Sequence, residues 1–142
     1  MNELEAEIAT FAARAVEACE SRGGGFLDYS EASLEIVESM LAEVAEYAQQ
    51  LSPDQVSIVV HEFGCYVLEV GRKEFGGCYQ WHDGREQPVL VVGEPAFRIA
   101  MLAWDKVRGR IGGDTGDNIP FHYSGFAERA RKAKAGDDAI YV

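Results

Sequence analysis

His61 and Cys65 stand four residues apart in a stretch of helical periodicity, so both side chains fall on one helix face within reach of each other. A thiol beside an imidazole can serve as nucleophile and base. Their position argues against it. Cys65 would lie about three turns into its helix, where the helix dipole that lowers reactive thiols has little effect. A packed cysteine is the ordinary reading. His61-Glu62 also opens like the zinc-binding H-E-x-x-H pattern, but Cys65 stands where the second histidine would be. His82 and His122 could complete a ligand set only from a distance. Glu62 and Glu69, seven apart on the same helix, could do acid–base work if burial separated their pKa values. Ion pairs with Arg72 and Lys73 on a solvated face are the plainer reading. No catalytic residue, metal ligand or cofactor is assigned.

Two further groups of residues could bind rather than react. Asp114 to Asn118 form an oxygen-rich glycine loop, but without the ligand spacing and terminal Glu of a calcium loop. Neither a G-x-G-x-x-G nor a Walker pattern occurs, so a surface loop is expected there. Tyr79, Trp81, Phe121, His122, Tyr123 and Phe126 are the more informative set. Trp and Tyr are enriched in binding hot spots, and equally at home beside a small sheet. Of these, Tyr79, Trp81, Phe121 and Tyr123 are the candidate anchors of a binding surface.

Charge is the third signal. The 142-residue chain has a formal net charge of −11. Residues 1–54 hold 12 acids against two bases, whereas residues 55–142 hold 12 acids against 11 bases. Such a chain repels nucleic-acid phosphates and anionic membranes, and favours a basic protein partner. Glu35, Glu38, Glu43 and Glu46 are the candidate contacts for it.

The elements that must position these residues follow from periodicity. Leu4, Ile8, Phe11, Ala15 and Cys19 draw an apolar stripe over a helix from Asn2 to about Ser21, stopped by Gly23-Gly24-Gly25. A second helix is expected from Glu31 to Gln49, capped by Ser30. A third starts at the capping box Ser52-Pro53-Asp54-Gln55 and ends near Phe75. Gly64 and Gly71 interrupt its core stripe. Each costs about 1 kcal/mol against Ala, so another element should approach closely there. Cys78–Trp81 and Pro88–Val92 flank Asp83-Gly84 and read as a hairpin over 78–92. A fourth helix is expected from Pro95 through Ile111, an extended aromatic segment over Ile119–Tyr123, a short helix capped by Ser124, and a last strand over 139–142 added to the hairpin. Helices first and strands later, without βαβ alternation, predict an α+β fold: N-terminal helices packed on a small antiparallel sheet, with further C-terminal helices, in a single domain over 1–142.

No apolar run reaches the ~18 residues of a membrane span. The acidic start, Met1-Asn2-Glu3-Leu4-Glu5, lacks the basic region of a signal peptide. Cys19, Cys65 and Cys78 show no paired spacing, as expected of free thiols in a reducing compartment, so the cytoplasm is the expected location.

Leu27-Asp28-Tyr29-Ser30 with Ser33-Leu34, and Gly64-x-Tyr66-x-x-Glu69-Val70 with Arg72 and Phe75-Gly76-Gly77, resemble a family of small uncharacterised bacterial proteins over about residues 26–92. The resemblance implies an α+β fold and a bacterial origin, and brings no activity or ligand.

With no completed catalytic motif, the reading weighs against an enzyme. It favours a non-enzymatic protein-binding module, in its most concrete form an immunity- or antitoxin-like protein that masks a basic partner. Homo-oligomerisation through a strand edge is compatible with it. The alternatives are a small-ligand-binding regulatory domain, with its site in the gap left by Gly64 and Gly71 against the hairpin aromatics, and a small enzyme using Glu62 and Glu69 or His61 and Cys65.

Overall fold

The computed structural model describes residues 2–142. Helix α1 spans Glu3–Ser21, its first turn held by Asn2, whose Oδ1 accepts the Glu5 N–H at 2.8 Å. Its stripe of Ile8, Ala12, Ala15 and Cys19 is buried. Ser30 caps a 3₁₀ turn over Glu31–Ser33, which runs into α2 at Leu34–Tyr47 and closes with a 3₁₀ turn over Ala48–Gln50. Helix α3 spans Pro53–Phe75 behind the Ser52–Gln55 capping box, and Phe63 to Gly71 is buried without interruption. α1 packs along α3, while α2 packs on the C-terminal helices.

The fold is α+β, with five α-helices and a four-stranded mixed sheet among the described residues. β1 (Cys78–His82) and β2 (Gln87–Val92) form the hairpin, with Tyr79 opposite Leu90. β3 is Arg98–Met101, antiparallel to β2. The helix expected from Pro95 is therefore replaced by a turn and a strand; helix α4 begins only at Trp104 and ends at Ile111. The spacing of Phe97, Ala100 and Met101 fits a helix, but pairing with buried β2 overrides a local preference this weak. The segment Ile119–Tyr123 is likewise not extended. It is the start of α5 (Ile119–Lys132), with Asn118 Oδ1 accepting the Phe121 N–H and Pro120 in the first turn. The last strand, β4 (Asp138–Tyr141), pairs with β3 and runs parallel to it, not along the hairpin. The crossover through α4 and α5 supplies the long connection that parallel pairing needs.

All six residues of β2 are buried. Leu90, Val92, Ile99 and Met101 face the helices, and Val89, Val91, Ala100 and Leu102 form a second cluster on the other face. Gly64 and Gly71 are where α3 meets its neighbours. A Cβ on Gly64 would lie 2.5 Å from Cδ1 of Trp104, and one on Gly71 2.9 Å from a Leu90 methyl. The gap foreseen at these glycines is thus filled by α4 and the sheet. Among the described residues no helix is long and apolar enough to cross a membrane.

Candidate functional site

The same rotation of α3 that presents Gly64 to Trp104 turns His61 and Cys65 toward α1. There they meet the face of α1 made by Leu4, Glu7, Ile8 and Phe11, spaced 3, 1 and 3 along that helix. Trp81 from β1, Pro88 from β2 and Trp104 from α4 complete the lining of a recess of about 260 Å³. That is slightly below the usual range for drug-sized ligands and suits a smaller one.

The walls are an aromatic assembly. The His61 ring stacks on Trp104 at 4.1 Å between centroids and 26° between planes. Phe11 meets the His61 ring edge-on at 5.7 Å. Trp81 stands almost perpendicular to Trp104, at 84° and 6.2 Å. Such edge-to-face pairs each add about 0.5–1.5 kcal/mol beyond area burial. Trp81 is 48% exposed and forms the outer wall.

The polar groups in this wall are mostly unsatisfied. Among the described residues, half-buried His61 enters no hydrogen bond, and the buried Nε1 of Trp104 has only the Cys65 sulfur, a weak acceptor, beside it. Burial pushes the Cys65 thiol up to about 12, with the neighbouring Trp104 indole pulling weakly the other way. Burial also lowers the His61 pKa, assisted by Arg108, which favours the neutral ring. Glu7 is exposed at the rim and enters no salt bridge among the described residues. His61 and Cys65 are thus neighbours in one wall, but the thiol is protonated and enclosed, the opposite of an activated nucleophile.

The other candidates are scattered. Glu69 is buried and accepts a 2.6 Å hydrogen bond from the Tyr79 hydroxyl, and burial with that carboxylate raises the Tyr79 pKa. Glu62 is partly buried and turned to Arg14 and Glu17 of α1; burial raises its pKa. The two carboxylates share no hydrogen bond. Tyr79 and Tyr123 are buried, which withdraws both from an exposed binding face; Tyr123 donates to Glu74. Phe121 is 77% exposed on α5 and absent from the recess lining. Glu38 is held by Arg110 and accepts the Ile119 N–H at 3.0 Å, so it ties α2 to α4 and α5. Glu35, Glu43 and Glu46 are exposed on α2. In the Asp114–Asn118 loop, Asp114 caps Gly116 and Asp117 pairs with Lys106. Among the described residues no group of three or more His, Cys, Asp or Glu could hold a metal ion.

Sequence reasoning missed Leu4, Glu7, Phe11, Pro88 and Trp104 as site residues. Phe11 belongs to the expected α1 stripe, and Trp104 falls within the helix expected from Pro95 through Ile111; only the packing of α1 and α4 against α3 brings them to His61. No protein-family model, curated protein or solved structure matches the chain.

Proposed function

We propose that the chain is a small-ligand-binding domain whose site is the recess between α1, α3, α4 and the hairpin. One observation carries the reading: the wall of an otherwise apolar, aromatic recess holds Trp104 Nε1 buried without an oxygen or nitrogen acceptor. Buried polar groups are nearly always satisfied, and exceptions mark places where a ligand or water supplies the partner. Catalysis is disfavoured because the Cys65 thiol is held protonated and Glu69 is already engaged by Tyr79. The test is a fragment screen by ligand-observed NMR against the wild type and Leu4→Trp, which narrows the recess from the partly buried side of α1. Binders lost in the variant support the reading. A screen whose hits bind both proteins equally refutes it.

A second reading keeps the protein-binding module, and the acidic helix favours it. Glu35, Glu43 and Glu46 are exposed and enter no salt bridge among the described residues, in the part of the chain that holds the charge excess. Replacing the three by Gln should slow association with a basic partner and flatten its salt dependence. Unchanged kinetics would leave the ridge as solvated surface.

A further inference from the structure

We propose that the recess takes a small organic ammonium ion with an apolar body, its charge met by Glu7 and its alkyl groups by the perpendicular faces of Trp81 and Trp104. The inference rests on the ligand-binding reading above and names its ligand class.

Glu7 is the one formally charged side chain in the lining, and no Lys or Arg takes part in it. An anionic ligand would meet a carboxylate with no cation in the lining itself; Arg108 acts on His61 from outside the lining. The aromatic rings add to this preference. The negative faces of indole rings attract alkylammonium groups, Trp most strongly; His61 already covers one face of Trp104, so half-exposed Trp81, at 84° to it, offers the more open face. Phe11 contributes less, because the Arg14 guanidinium already lies 5.5 Å from its ring centroid. Leu4, Ile8 and Pro88 provide the apolar remainder. Trp104 Nε1 has only the weakly accepting Cys65 sulfur beside it, so a hydroxyl or carbonyl oxygen on the ligand would be a better match. The net charge of −11 draws cations toward the molecule at low ionic strength.

The test uses choline and its neutral carbon isostere 3,3-dimethylbutan-1-ol, which share shape and hydroxyl and differ in charge. Each is titrated into the full chain at low salt and read by tryptophan fluorescence. The chain has two tryptophans, and both line the recess. Choline should bind about tenfold tighter than the alcohol. Glu7→Gln, at an exposed position without a salt bridge, should remove most of that preference, because choline loses the charge it meets and the alcohol has none to lose. Equal affinities for the two compounds would overturn the ammonium assignment. So would the absence of choline binding while neutral fragments from the screen still perturb the tryptophans, a result that leaves the ligand-binding reading standing. If no compound of either kind perturbs them, both fall together.

Discussion

Replacing Gly64 by Ala sets two effects of known size against each other. In the interior of α3 the change should stabilise by about 1 kcal/mol through helix propensity. The new Cβ, however, would lie 2.5 Å from Trp104 Cδ1 and 3.3 Å from Trp104 Cα. The ring can rotate, but its own backbone stands behind it and His61 is stacked on it, so the indole cannot yield freely. Overpacking of this kind costs about 1–3 kcal/mol. The expected net loss is therefore about 0–2 kcal/mol, or up to several degrees in Tm. Gly71→Ala is the control, because its Cβ meets only the far ends of Leu90, Met101 and Phe126, the nearest at 2.9 Å. It should fall within about 1 kcal/mol of the wild type, since propensity and crowding nearly cancel. Urea unfolding of both variants, followed by far-UV circular dichroism, gives the two values. The Gly64 variant should also shift tryptophan emission and weaken any ligand of the recess. A Gly64→Ala protein more stable than the wild type by the full propensity gain, with unchanged emission, would refute the packing of Trp104 on α3.

Three other outcomes follow from the same structure. Glu38→Ala strands the Arg110 guanidinium and the Ile119 N–H, so it should lose about 2–4 kcal/mol in denaturant unfolding; a loss under 0.5 kcal/mol, of the order of a surface change, would contradict the bridge from α2 to α4. Burial lowers the pKa of both His61 and His122, so the folded state binds protons more weakly than the unfolded chain and stability should decline as pH falls from about 6.5 toward 5. The slope is at most about 1.4 kcal/mol per pH unit for each group, less for partly exposed His61, and a urea midpoint that is flat across this window would contradict it. A thiol reagent at pH 8 should label exposed Cys78 quickly and reach Cys19 and Cys65 only on unfolding; rapid labelling of Cys65 would reopen a nucleophilic role.

The first three helices were legible because each is long and carries its own start signal: Asn2, Ser30 and the Ser52–Gln55 box all cap as their types suggest. The hairpin was legible from its β-branched run and turn residues. The stretch from Pro95 was not, since Arg98–Met101 is four residues long and becomes a strand only by pairing with β2 on one side and β4 on the other. Asn118-Ile119-Pro120 did carry a helix-start signal, a capping Asn with Pro in the first turn, which the run of aromatics masked. For the site, the one-turn pair His61 and Cys65 was visible because it lies within one helix. Its surroundings were not, because Glu7 and Phe11 come from about 50 residues earlier and Trp104 from about 40 later, joined only by tertiary packing. The aromatic set mixed core and surface for the same reason: Tyr79 and Trp81 share one face of β1, and only the covering of that face separates them, with Tyr79 bonded to Glu69 of α3 and Trp81 left at the rim.

The most direct test of a ligand site in the recess is a two-dimensional ¹H–¹⁵N spectrum of the full chain titrated with the best hit of the fragment screen. The indole N–H signals of Trp81 and Trp104 should both move and saturate along one binding curve, with the backbone amides of Phe11 and His61 following and that of exposed Phe121 staying still. Indole signals that stay fixed while shifts gather elsewhere on the surface would contradict the account.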